Sequence, residues 1–263
     1  VTATGGAWHP GSYLRFAGER ARPFVELVAR VAAEAPRSVV DLGCGEGSLT
    51  ASLAQRWPQA RVTGVDSSPE MLAAASAAAS ERVAFELGDV ADWAPREPVD
   101  VLVSNAVLHW VPGHPEVMGR WAAALPPGGW LAVQVPGNFR APTHALLADL
   151  CCSPVWADRL ADVAPSPDTV LEPTGYAEVL TGAGLAADVW EATYLHVLRG
   201  PDPVLAWVRS TVLRPVLARL DDDAGARFTD AYAAALRAAY PARPDGTTLL
   251  PFRRIFAVGN RPT

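Results

Sequence analysis

Ser38-Val39-Val40-Asp41-Leu42-Gly43-Cys44-Gly45-Glu46-Gly47 decides how the rest of this chain reads. A short apolar run stops at a turn with glycine at three alternate positions, and residues 48–57 then read as a helix. Strand, glycine-rich turn and helix is the layout of a ligand-binding loop at the carboxyl end of a parallel strand. Glycines let the backbone turn tightly and approach a ligand where side chains would clash. Dinucleotide loops have a related form, but their spacing is G-x-G-x-x-G; here it is G-x-G-x-G with an acid, Asp41, two residues before the first glycine. Asp41 would serve a ligand amino group and repel a pyrophosphate.

The alternation continues on both sides. Residues 61–66 read as a second strand, and Ser67-Ser68-Pro69-Glu70 as a helix start, with a serine cap, proline at the first position and acid in the first turn. Strands follow at 83–87, 99–104 and 130–135, with a helix at 115–125 ended by Pro126-Pro127-Gly128-Gly129. Apolar strands separated by helices imply a parallel sheet covered on both faces. Upstream, 8–35 reads as two helical pieces, Pro23 opening the second and Pro36 ending it. Downstream come a helix at 143–150, an Asp/Pro-rich loop, a helix at 174–182 and a strand at 187–197. A helical pair at 201–220 and 222–239 and a last strand at 252–258 complete the chain. The expected organisation is a helical cap at 1–35, a core at 36–200, a helical lid at 201–240 and the last core strand within 241–263.

Composition narrows the partners. Of 263 residues half are hydrophobic and 19% charged, enough for a sizeable core. Asp plus Glu outnumber Lys plus Arg by 28 to 22, so the chain lacks the basic field that nucleic-acid backbones require. All the basic residues are arginine, which removes Schiff-base and P-loop lysine chemistry. Cys44, Cys151 and Cys152 form no CxxC, and the five histidines show no ligand spacing, so no metal is expected. No apolar run reaches membrane length and no leader pattern opens the chain, so a cytoplasmic protein off the membrane is expected, as a monomer or weak homo-oligomer.

Two further acids fall where the loop needs them. Asp66 ends the second strand, placed for two ribose hydroxyls; Gly88-Asp89-Val90 follows the third, offering a carboxylate and an N–H to an adenine edge. With these residues the stretch 36–136 resembles the class I S-adenosylmethionine-dependent methyltransferases. The resemblance implies a Rossmann-like α/β fold: a seven-stranded, mostly parallel sheet with its last strand antiparallel. It also implies S-adenosyl-L-methionine as cofactor, with its methionine part on the loop, ribose on Asp66 and adenine on Asp89.

The flanks are similar to one branch of that class, the trans-aconitate methyltransferases. The likeness rests on Trp8-His9-Pro10-Gly11-Ser12-Tyr13, Glu19-Arg20-Ala21-Arg22-Pro23, Ser104-Asn105-Ala106-Val107-Leu108-His109-Trp110 and Val133-Gln134-Val135-Pro136-Gly137-Asn138. It continues through Pro142-Thr143-His144, Thr193-Tyr194-Leu195-His196, Leu213-Arg214-Pro215 and Pro251-Phe252-Arg253-Arg254. Glu46 departs from it where proline is usual, and His109 where glutamine occurs. The resemblance implies cofactor contacts at Tyr13, Arg22, Asp41, Gly43, Cys44, Gly45, Gly47, Asp66, Ser67, Met71, Gly88, Asp89, Val90, Asn105 and Leu108.

The implied reaction is methyl esterification of a small di- or tricarboxylic acid, trans-aconitate first among them. A carboxylate is ionised at neutral pH and needs no general base, so no catalytic residue is required; Tyr13, His109 and Tyr194 are candidates for positioning. Arginine's planar fork binds carboxylates bidentately, which makes Arg214 and Arg254 the leading substrate residues, with His144, Tyr194 and His196 beside them. An arginine tight on the attacking carboxylate would favour the ground state, so the arginines are expected on the non-reacting carboxylates. Two alternatives stand: a methyltransferase for a different metabolite acid, and a cofactor-binding protein without turnover.

Overall fold

The structure, a computed structural model, describes residues 17–209 and 211–263; Tyr13 and the helical piece expected before residue 17 lie outside the described residues. In chain order the elements begin with α1 (Ala17–Ala29), β1 (Ser38–Leu42), α2 (Ser48–Arg56), β2 (Arg61–Asp66), α3 (Pro69–Ala75), β3 (Val83–Leu87), β4 (Val101–Asn105), α4 (His114–Ala123) and β5 (Trp130–Pro136). Then come α5 (Pro142–Cys151), α6 (Ala157–Leu160), α7 (Pro173–Gly182), β6 (Ala186–Arg199), α8 (Pro203–Arg209), α9 (Arg214–Leu217), α10 (Asp222–Ala239) and β7 (Thr247–Asn260).

The sheet has seven strands in the order β3-β2-β1-β4-β5-β7-β6. β3, β2, β1, β4 and β5 pair in parallel. β7 runs antiparallel to β5, from Trp130 opposite Asn260 to Pro136 opposite Arg254. This is the expected fold. The order reverses between β1 and β4, and ligands of such sheets bind outside the carboxyl ends of the strands at that point.

Two compact units divide the described residues. One, the sheet unit, comprises 17–136, 171–192 and 254–263; the other, mostly helical, comprises 137–170 and 193–253. In the sheet unit Val39, Val40, Leu42, Val101, Leu102, Val103, Leu131 and Val133 are all buried. Each such side chain contributes about 1.5–3 kcal/mol on leaving water, which is why these runs carry no polar alternation. α3 starts as its sequence predicts: Ser68 Oγ accepts the Met71 N–H at 3.2 Å and Pro69 follows the cap. Within the helical unit α5 packs on α10, where the Tyr232 hydroxyl donates to the Thr143 carbonyl at 2.5 Å. Trp156 meets Phe228 edge-to-face at 5.3 Å. Among the described residues no helix is long and apolar enough to cross a membrane.

Four local expectations are corrected. Pro23 lies inside α1 and does not open it, because Phe24, Leu27 and Val28 bury a face that continues through it. The helix expected over 201–220 is broken: α8 ends at Arg209, and Leu213 turns back to bond the Val208 carbonyl at 3.3 Å before α9 begins. The 153–172 loop contains a turn of helix, α6, whose Leu160 is wholly buried. β6 and β7 run longer than expected, since residues 194–199 alternate buried and exposed, and Thr247, Thr248 and Leu250 are already buried.

Candidate active site at the carboxyl edge of the sheet

The glycine loop is bound to β2 from below. The N–H groups of Gly43 and Cys44 both donate to the Val65 carbonyl, at 2.7 and 3.0 Å. Gly45 and Gly47 show what the glycines are for. Gly47 sits at φ +83°, and a Cβ there would lie 2.6 Å from the Phe85 ring. Gly45 sits at φ +56° with no described residue within 4 Å of its would-be Cβ, so among the described residues its outer side is open. Cys44 is buried beneath the loop, and burial pushes its thiol up, away from reactivity.

Asp66 ties the loop to the next helix. Its Oδ2 accepts the Gly45 N–H at 2.9 Å and its Oδ1 the Ser68 N–H at 2.9 Å. A carboxylate offers about four acceptor positions, so capacity for a vicinal diol remains. Asp41 is 3% exposed and takes the Thr50 hydroxyl on Oδ2 at 2.6 Å. Burial raises its pKa to about 6, against the Thr50 bond, with the neighbouring Asp66 charge adding to the rise. A buried carboxylate so placed gains from an ammonium ligand. Glu46, the odd residue in the loop, turns its carboxylate to the N–H and hydroxyl of Ser48 at the start of α2.

Past β3, the Gly88 N–H donates to the Asp66 carbonyl at 3.0 Å. Asp89 is exposed, one oxygen holding the Ala91 N–H at 2.9 Å, and Val90 is buried. Past β4, Asn105 carries a buried Oδ1 with no hydrogen-bond partner among the described residues, and Ala106 is held at φ +59°. Val107 packs over the glycine loop so closely that its Cγ2 would be 2.1 Å from a Cβ at Gly43. Leu108 is buried, and His109 leans on Trp110 with ring centroids 4.7 Å apart. Ser67 is exposed and Met71 buried. Arg22 is exposed on α1, paired with Glu26 at 2.8 Å.

The open side of Gly45, the buried acid Asp41 at the end of β1, the spare acceptors on Asp66 and the Asn105 oxygen fit an S-adenosylmethionine skeleton. From glycine loop to Leu108 these candidates belong to one unit; of the expected cofactor contacts only Tyr13 lies outside the described residues.

The expected substrate residues divide between the units: Arg254 lies in the sheet unit, His144, Tyr194, His196 and Arg214 in the helical one. Arg254 is 6% exposed and donates Nη1 to Gln134 Oε1 at 3.3 Å. His144 is buried, its Nδ1 within 3.2 Å of Asn138 Nδ2 and 3.0 Å of the Thr143 hydroxyl, and burial lowers its pKa to about 4. It is therefore neutral at pH 7. His196 is buried with its ring 4.3 Å from Trp207, Tyr194 is buried on the same strand, and Arg214 opens α9, its pKa lowered by burial. Two residues were missed from sequence, Thr50 under Asp41 and Gln134 beside Arg254; the signal for Gln134 was a polar side chain in an otherwise apolar strand.

Comparison with known proteins agrees with this geometry. A family model described as a methyltransferase domain matches residues 39–129. The trans-aconitate 2-methyltransferase of Streptomyces coelicolor is 53% identical, covering 100% of this chain and 89% of its own. Its namesake from Mycobacterium tuberculosis is 48% identical over 95% of both. In fold, the chain is similar to a SAM-dependent methyltransferase from Thiobacillus denitrificans solved with S-adenosyl-L-homocysteine, at 20% identity and a TM-score of 0.56, covering 97% of this chain and 100% of that one. On near-full-length identity of this order, the chain belongs to the trans-aconitate 2-methyltransferase family.

Proposed function

We propose that this chain is an S-adenosylmethionine-dependent O-methyltransferase that forms a methyl ester on a small di- or tricarboxylic acid, with trans-aconitate as the first substrate. The observation that carries the substrate is the 53% identity, across the whole chain, to a relative bearing that name. The constellation of Asp41, the open Gly45 and Asp66 supports the cofactor.

When bound, S-adenosylmethionine supplies an electrophilic methyl group on a sulfonium. The chain's own residues then have modest tasks. Asp41 balances the ammonium of the amino-acid part, Asp66 takes the ribose diol, and Gly88-Asp89-Val90 hold the adenine edge. The acceptor arrives ionised, so no residue has to remove a proton. Anion and cation neutralise each other as the bond forms, so a site that sheds water favours reaction. The remaining work is alignment, for which Arg254 of the sheet unit holds a carboxylate that does not react.

The test is methyl transfer from labelled cofactor into a panel of di- and tricarboxylates. The expected product is base-labile, with trans-aconitate the best acceptor. An alkali-stable product, or cofactor binding with no transfer to any acid, sinks the proposal.

A further inference from the structure

Gln134 is the polar residue of β5, wholly buried in the sheet unit between Val133 and Val135. It sits opposite Asn105 of β4 and Phe256 of β7. Residues in register across a sheet share a face, and so do alternate residues of one strand. Asn105, Gln134 and Arg254 therefore rise from the same face. Arg254 donates Nη1 to Gln134 Oε1 at 3.3 Å. A guanidinium has donors only, so this bond settles which end of the amide is oxygen and turns Nε2 away from the arginine.

That Nε2 is buried and has no hydrogen-bond partner among the described residues, and neither has Asn105 Oδ1. Each orphaned group forfeits the water it gave up on burial without a bond in return. The turn beside them carries a third cost, because Ala106 is held left-handed at φ +59°, its N–H on the Gln134 carbonyl at 2.8 Å. A bare donor, a bare acceptor and a strained turn meet at the carboxyl ends of β4 and β5, one strand from the glycine loop. Costs gathered at one place are relieved by a ligand with a matching acceptor and donor.

We infer that Gln134 is an acceptor-binding residue: its Nε2–H, aimed by Arg254, holds one oxygen of the carboxylate that is methylated. The inference rests on the function proposed above. During transfer the O–C bond forms from a carboxylate lone pair while the S–C bond breaks and leaves its pair on sulfur; no proton moves. The carboxylate loses its charge in this step. An uncharged donor resists that loss less than a guanidinium does, and by bonding one oxygen it leaves the other to attack. Asn105 Oδ1, the matching acceptor, suits the cofactor ammonium.

The experiment uses the full chain, with Gln134→Leu and the isosteric Gln134→Glu. Unfolding temperature, affinity for S-adenosylhomocysteine, and kcat and KM for the best acid of the panel are measured. The expected result is folded variants with cofactor affinity within about twofold of the parent. For Gln134→Leu, kcat/KM for the acid falls about 10–100-fold, the scale of one lost hydrogen bond to a charged group; Gln134→Glu, which presents a carboxylate to a carboxylate, falls further. A folded variant with unchanged kcat/KM, an equal loss of cofactor affinity, or failure of both variants to fold overturns the inference. If the parent protein transfers methyl to no carboxylic acid, the function reading itself has failed and takes the inference with it; if only the variants behave like the parent, the inference alone falls.

Discussion

Asp41 concentrates the energetics of the site in one side chain. Its pKa of about 6 lies above the ordinary 3.8 because burial penalises the charged form. The folded protein therefore binds a proton more readily than the unfolded chain between pH 4 and 6. Stability without ligand is greatest below that window and declines as pH rises through it, by roughly 3 kcal/mol in the limit of full burial. A ligand ammonium reverses the sign, since it favours the carboxylate. Cofactor affinity is thus expected to rise from pH 5 to 7, with proton release on binding near pH 6. Asp41→Asn should raise the unfolding temperature at pH 8, flatten the pH dependence and weaken cofactor binding; calorimetric titration in buffers of different ionisation enthalpy reads all but the first. An unchanged pH profile in the variant would mean another group titrates. Asp41 was legible in sequence because an acid at the end of an apolar strand, two residues before a glycine loop, has few other uses. The role of Gln134 was not, because a partner on the neighbouring strand but 120 residues later in the chain, and an empty hydrogen-bond position, exist only once the strands are in register.

The elements divide by how their stability arises. β1, β2 and β3 have the bounds that their sequence predicts, since an apolar run ended by glycine or acid admits few other lengths. Where tertiary packing overrides local chemistry, the reading slips, and α1 is the clearest case. Proline inside a helix lacks the N–H for the bond to the fourth residue back, a cost of about 3 kcal/mol against alanine. α1 nevertheless continues through Pro23, held by the burial of Phe24, Leu27 and Val28. Sequence periodicity saw that face but gave the proline its commoner place at a helix start. If burial carries α1 against local preference, Pro23→Ala should stabilise the protein by about 1–2 kcal/mol, part of the helical penalty being offset by lost packing. Urea unfolding measures the change; a destabilised variant would assign Pro23 a packing role larger than its backbone cost. The break after α8 was hidden for a related reason, as residues 211–213 carry no glycine or proline to announce it.

At the scale of the molecule, two compact units were less legible than the sheet. Alternation of strand and helix along 38–136 writes the sheet unit into nearly continuous sequence, whereas the helical unit is assembled from 137–170 and 193–253. Hydrophobic periodicity reports each helix but not which distant helix it joins, so α5 and α10, some seventy residues apart, could not be paired from spacing. The cofactor assignment makes a sharp demand on this division, because the proposed contacts among described residues all lie in the sheet unit. Saturating S-adenosylhomocysteine, at 100 times its dissociation constant, stabilises the bound form by about 2.7 kcal/mol. Hydrogen exchange should show that protection at the amides of 43–48, 66–71, 88–91 and 105–108, which belong to the glycine loop and the turns after β2, β3 and β4. The amides of α10, in the helical unit, should change least. Protection centred on α10 with the glycine loop unaltered would move the cofactor away from the carboxyl edge, and with it the reason for a buried acid at the end of β1, an open side at Gly45 and a bare oxygen on Asn105.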